Sequence, residues 1–281
     1  MRPISKWLDI TMIELGLFGG GFQHAYSSTL MKHPKYFSWA KNKIRDITCF
    51  TEEEIVPNIN KHNNIKKFAW VLESSVIIPS VVNEVIQNYK EISESYEFLI
   101  SHDKRISSLA SNFYYLPPHG YWIENPQVYP KTKLCSMISS SKRMCSGHDF
   151  RLNWVDKLRN KLDLFGNGIN TFNKKEDALA DYMFSVTIEN SQYETYWTEK
   201  ILDCFACGTI PIYHGSPDIG DYFNMNGIIL LDNNFDVSLL NSELYLSKED
   251  AIIDNFERAL KYNIIEDIMW DKFINKICHY K

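Results

Sequence analysis

Thr198, Glu199 and Lys200 open a segment, Thr198–Cys207, whose apolar spacing predicts a helix. Thr198 is a good N-cap and Gly208 a good stop. A helix start presents unpaired N–H groups and about half a unit of positive charge, which makes it a seat for a phosphate. Lys200 in the first turn opposes that dipole, at a cost of a few tenths to roughly 1 kcal/mol. An anion bound there reverses the balance, and the neighbouring Glu199 carboxylate can accept two hydroxyls of a ribose. The same three residues also fit an ordinary exposed first turn. Arg151 adds a guanidinium fork suited to phosphate oxygens, although a plain surface arginine fits its position too. Glu189 and Asn190 end an apolar run and can hydrogen-bond a sugar. Tyr193, Tyr196 and Trp197, on the loop that follows, are placed to wall a sugar ring. Glu73 ends another apolar run. Its carboxylate could take a proton from a hydroxyl that faces it; a solvated glutamate is the plainer alternative.

These residues need strands and helices to bring them together. Phe68–Leu72 reads as a strand ending at Glu73, Val81–Tyr96 as a helix, and Phe98–Ser101 as a strand. That alternation predicts a parallel sheet with covering helices. Gly19, Gly20 and Gly21 form a turn near an N-terminal strand, where a ligand could approach the backbone, but the spacing is not G-x-G-x-x-G. In the second half, Lys133–Ser139, Leu164–Gly168, Phe184–Ile188 and Ile210–Tyr213 read as strands. Phe150–Leu162 reads as a helix with Trp154, Leu158 and Leu162 on one stripe. Lys248–Ile277 reads as two amphipathic helices. In open α/β sheets ligands sit beyond the carboxyl ends of the strands, where Glu73, Glu189 and Asn190 fall. The proline-dense stretch Pro117–Pro130 prevents helix and central strand. It predicts one unit over residues 1–125 and a second over 126–281.

The composition sets bounds. The chain has 281 residues, 44% hydrophobic and 23% charged, with 16 Tyr, 16 Phe and 7 Trp. That is enough for a buried core and for aromatic-lined hollows. The net charge of −5 and the lack of a basic stripe argue against nucleic acid as a partner. Cys204 and Cys207 make a C-x-x-C inside the apolar helix pattern without a second pair, so they read as buried hydrophobes rather than a zinc site. No D-x-D occurs, so no metal ion is needed to explain diphosphate binding. Met1–Phe22 does not read as a signal peptide, and no apolar run reaches the ~20 residues that span a bilayer. The expectation is a cytoplasmic protein, at most at the inner face of a membrane.

The stretch YMFSVTIENSQYETYWTEKILDCFACGTIPIYHGSPDIGDYF, from Tyr182 to Phe223, resembles the signature of the family 10 glycosyltransferases, the α-1,3/α-1,4-fucosyltransferases. Its core pieces are Glu189–Asn190, Thr198–Lys200 and Gly208–Gly215. HDFRLNWVDKL, from His148, is similar to the family's arginine helix, and KKFAWVLESS, from Lys66, to the strand that ends in its catalytic base.

The resemblance implies a GT-B architecture: two Rossmann-like α/β domains facing a cleft, the second holding the nucleotide. It implies Arg151 and Lys200 on the donor diphosphate, Glu199 on the ribose, Asn190 and Tyr196 near fucose or diphosphate, and Glu73 as base. Glu189 joins the donor-binding set. The expected reaction is inverting transfer of L-fucose from GDP-fucose to a glycan or glycoconjugate acceptor, with no metal and no cofactor besides the donor. A different nucleotide-sugar donor, or a non-catalytic relative that still holds the nucleotide, are the alternatives. The heptad repeats and basic amphipathic tail that some bacterial relatives carry are not found in this sequence, where Lys248–Lys281 mixes acids and bases.

Overall fold

The computed structural model describes residues 12–29 and 31–279. Residues 1–11, and so part of the Met1–Phe22 stretch weighed above as a leader, lie outside them.

The first unit is a six-stranded parallel sheet. Its strands are β1 (Ile13–Gly19), β2 (Phe37–Lys41), β3 (Ile47–Thr51), β4 (Lys66–Val71), β5 (Phe98–Ser101) and β6 (Phe113–Tyr115), in the order β2-β1-β3-β4-β5-β6. β4 shows why the sheet is parallel and doubly covered. From Lys67 to Val71 every residue is buried, as a strand packed on both faces requires. Helices α1 (Pro79–Gln87), α2 (Tyr89–Ser95) and α3 (Lys104–Ser107) connect β4, β5 and β6.

The second unit is a five-stranded parallel sheet of β7 (Lys133–Ile138), β8 (Asp163–Phe165), β9 (Tyr182–Ile188), β10 (Ile210–His214) and β11 (Ile229–Leu230), ordered β11-β10-β9-β7-β8. Around it lie α4 (Ser146–Leu158), α5 (Glu176–Leu179), α6 (Glu199–Ala206), α7 (Ser242–Leu246) and α8 (Glu249–Leu260). α4 starts and ends four residues before its expected bounds. Arg159 leaves the helix with ψ near 129°, and Leu162 therefore drops off the Trp154–Leu158 stripe.

Residues 116–132 are free of helix and strand and join the units. A second crossing follows α8. α9 (Ile265–Met269), a π-type turn (Trp270–Ile274) and α10 (Asn275–His279) return to the first sheet. There Ile265, Met269, Trp270 and Ile274 enter the core with Leu15, Phe37, Phe68 and Trp70. Glu266 accepts hydrogen bonds from the N–H (2.7 Å) and hydroxyl (3.0 Å) of Ser28. The pair of helices grouped on sequence with residues 126–281 thus divides. Amphipathic spacing shows that a helix has a buried face but not which sheet buries it.

Candidate active site

The carboxyl ends of both sheets open on one cleft of about 680 Å³, within the range of small-molecule sites. From the first unit Gly20, Gly21, Glu52, Glu53 and Glu73 line it. From the second come Ser139, Ser140, Arg151, Asn190, Tyr196, Glu199 and Lys200. The joining segment adds His119 and Trp122. Arg151 and Lys200 therefore share one hollow, and Glu73 stands in the same hollow, carried by the other sheet.

α6 forms as its caps dictate. The Thr198 hydroxyl accepts from the Lys200 N–H at 3.4 Å. Gly208 stops the helix at φ +68, where any Cβ would meet Val128 at 2.7 Å. Lys200 Nζ lies 2.9 Å from Thr198 Oγ1, 3.2 Å from Glu189 Oε2 and 3.6 Å from Glu199 Oε1. Burial disfavours its charge, but the carboxylates of Glu189 and Glu199 outweigh burial and raise its pKa. Burial likewise works against ionised Glu199, and Lys200 and Lys175 more than reverse this, holding its carboxyl below the usual range.

Arg151 sits in the second turn of α4 and is only 5% exposed. Its Nη1 donates to Asn190 Oδ1 (3.2 Å) and its Nη2 to Ser140 Oγ (3.1 Å). Its Nε is buried without a hydrogen-bond partner, and no carboxylate pairs with it among the described residues. Burial lowers its pKa. A guanidinium buried without a counter-ion is costly and poised to take an anion. α4 comes this close because residue 147 is glycine: a Cβ there would lie 2.0 Å from the Asn190 carbonyl oxygen.

Glu73 follows β4, half-buried, and accepts the Ser74 N–H at 2.8 Å. The hydroxyls of Ser74 and Ser191 hydrogen-bond across the units. Tyr193 Oη meets His102 Nε2 at 2.9 Å, and Thr195 Oγ1 donates to the His102 carbonyl at 2.6 Å. The loop after β9 is thereby tied to the ends of β4 and β5.

Three expectations change. Glu189 does not line the cleft. Its Oε1 accepts the Thr198 N–H (2.9 Å), and its Oε2 takes the Thr198 hydroxyl and Lys200. It is a buried anchor for the start of α6, not a group free to meet a ligand. Trp197 is fully buried against Tyr222, Phe223 and Tyr262. Tyr193 turns to the first unit, leaving Tyr196 as the ring of the three that faces the cleft. Tyr196 packs on Tyr193 and His102, and burial holds its phenol protonated well above the usual range.

Other groups were not anticipated. Lys175 pairs with Asp203 at 2.6 Å, lies 3.7 Å from Glu199, and sits 4.3 Å over the Trp122 ring. Burial raises the Asp203 carboxyl and Lys175 opposes the rise, leaving it at about 6. The readable signal was the four-residue spacing of Glu199 and Asp203, which puts both on one face of α6. Nothing local marked Lys175, Glu52 or His119. Cys204 and Cys207 are buried core residues. Among the described residues no cluster of His, Cys, Asp or Glu is arranged to hold a metal ion, and no helix is long and apolar enough to cross a membrane.

Two parallel α/β units with ligand-type residues at the strand ends facing one cleft define the GT-B class of glycosyltransferase folds. A crystal structure of an alpha1,3-fucosyltransferase superposes with a TM-score of 0.51 at 17% identity, covering 99% of this chain and 93% of that one. A second, of an alpha1,3-fucosyltransferase with GDP, gives 0.51 at 16% identity over 94% and 96%. Residues 128–279, over half of the chain, match the family model described as glycosyltransferase family 10 (fucosyltransferase) C-term. The chain belongs to glycosyltransferase family 10. It is similar to the alpha-(1,3)-fucosyltransferase FucT of Helicobacter pylori, 36% identical over 89 residues. That match spans 31% of this chain and 18% of the relative's length.

Proposed function

We propose that the protein is an inverting fucosyltransferase that moves L-fucose from GDP-fucose to a hydroxyl of a glycan acceptor, in an α-1,3-type linkage. The observation that carries the reading is that Arg151, Lys200 and the start of α6 share a cleft with Glu73. The similar fold solved with GDP supports the choice of nucleotide.

In this reading Arg151, Lys200 and the N–H groups of α6 bind the diphosphate. Glu199, fixed by Lys200 and Lys175, accepts the ribose hydroxyls. Asn190 and Tyr196 lie toward the fucose, and Glu189 holds Lys200 in place. Glu73 takes the proton of the acceptor hydroxyl as its oxygen attacks the anomeric carbon from the face opposite GDP. The bond from that carbon to the β-phosphate oxygen breaks, its electron pair leaves with GDP, and configuration inverts. The two cations and the helix dipole stabilise the departing charge where it develops, so the reading assigns no metal cofactor.

Thermal shift with GDP, GDP-fucose, GDP-mannose and UDP-sugars tests the donor. Preferential stabilisation by GDP and GDP-fucose is expected. Selective stabilisation by a UDP-sugar overturns the donor assignment, and nucleotide binding without turnover would leave a non-catalytic relative. Glu73→Gln is expected to keep GDP affinity and lose transfer by about 10²-fold or more; transfer at the wild-type rate would remove Glu73 as base.

A further inference from the structure

The first sheet brings a second carboxyl group to Glu73. Glu52 opens a short 3-10 turn directly after β3, with its backbone in the left-handed region at φ +51. A residue with a side chain costs on the order of 1 kcal/mol there, so its surroundings must hold it. They do so through the side chain, in a residue only 4% exposed. Glu52 Oε1 accepts the N–H of Leu72 at 2.9 Å and of Glu73 at 3.0 Å. Those are the two peptide groups at which the chain leaves β4 and carries Glu73 into the cleft. Glu52 Oε2 is buried with no hydrogen-bond partner among the described residues. Glu52 lines the cleft beside Glu53, Leu72 and Glu73.

We infer that Glu52 is a positioning residue for Glu73, fixing the backbone from which the proposed base enters the cleft. The inference rests on the assignment of Glu73 as base. Glu52 does this work in its neutral form. Burial is the largest influence and pushes its pKa up to about 8; the Leu72 and Glu73 N–H groups oppose this, and the charges of Glu73 and Glu53 add to it. The thiol of Cys49, on β3, is kept protonated by burial and adds no charge. A neutral acid satisfies both N–H groups without setting a second negative charge against Glu73. No cation pairs with Glu52 among the described residues, and a buried charged carboxylate without one would be costly.

The test uses the full chain with Glu52→Ala and Glu52→Gln. Turnover is read as GDP release from GDP-fucose, affinity as GDP binding by calorimetry, and stability as Tm from pH 5 to pH 8. A misplaced base slows chemistry without loosening the donor, so Glu52→Ala should lose about tenfold or more in kcat at unchanged GDP affinity. Glu52→Gln keeps an acceptor for both N–H groups and should restore most of kcat. Because the folded-state pKa of Glu52 is raised, the stability it confers is full below its ordinary pKa of 4.5 and falls as pH rises toward about 8. Wild-type Tm should therefore drop across this range more steeply than that of Glu52→Gln, whether or not turnover is measured. Wild-type kcat in Glu52→Ala overturns the inference, as does Glu52→Gln no more active than Glu52→Ala while both stay folded. Parallel Tm slopes in wild type and Glu52→Gln overturn the neutral form. Normal turnover by Glu73→Gln would instead remove the base assignment.

Discussion

Lys200 is held from three sides, by Glu189, Glu199 and the Thr198 hydroxyl. Removing its ammonium takes a cation from the proposed diphosphate site and strands a buried carboxylate beneath it. Lys200→Ala should therefore weaken GDP binding by about tenfold or more and also lower Tm, because truncating one member of a buried charge pair costs roughly 2–5 kcal/mol; calorimetry and thermal unfolding separate the two effects. Trp197 supplies a contrast. It stands one residue from the cap of α6 yet packs wholly within the second core, so Trp197→Ala should cost about 3–5 kcal/mol of stability, measured by denaturant unfolding. Residue types marked Arg151, Glu199 and Lys200 as candidate ligands for an anion and for hydroxyls, and all three line the cleft. They did not reveal which way a side chain points. Glu189 and Trp197 are as polar and as aromatic as ligand-facing groups would be, and only tertiary packing turns them inward.

At the scale of the element, α6 is the piece best written into the chain. Its cap, its apolar stripe and its terminating glycine are all local, and the observed helix Glu199–Ala206 falls within the expected segment. β4, β5 and β9 were legible for a related reason: buried parallel strands are short unbroken apolar runs. α4 was displaced because its start depends on Gly147 fitting against the Asn190 backbone, a contact between segments distant in sequence. Thr198→Ala tests the element directly. Loss of the cap should cost about 1 kcal/mol and loosen the Lys200 ammonium, lowering Tm and GDP affinity together. Thr198→Ser, which keeps the hydroxyl, should recover most of both.

The whole molecule depends on contacts between the two units, and His102 stands at one of them. It is fully buried, bonded through Nε2 to Tyr193 and through its carbonyl to Thr195. Burial lowers its pKa from an ordinary 6.5 to about 4. Between these values the unfolded chain takes up a proton that the folded chain refuses. The stability involved is complete above about pH 6.5 and is lost as pH falls toward 4. Thermal unfolding of wild type should show that acid slope, and His102→Gln a flatter one. None of these long-range contacts was readable in advance, since each joins residues about ninety positions apart whose spacing carries no period.

The return of α9 and α10 to the first sheet makes the covalent path and the packed bodies differ. Two strands of backbone, not one, bridge the halves. A protease that nicks the exposed stretch near Val128 would not release two independent pieces. The longer fragment would still carry Ile265, Met269, Trp270 and Ile274 plugged into its neighbour's interior, and the severed protein should migrate as a single particle until denatured.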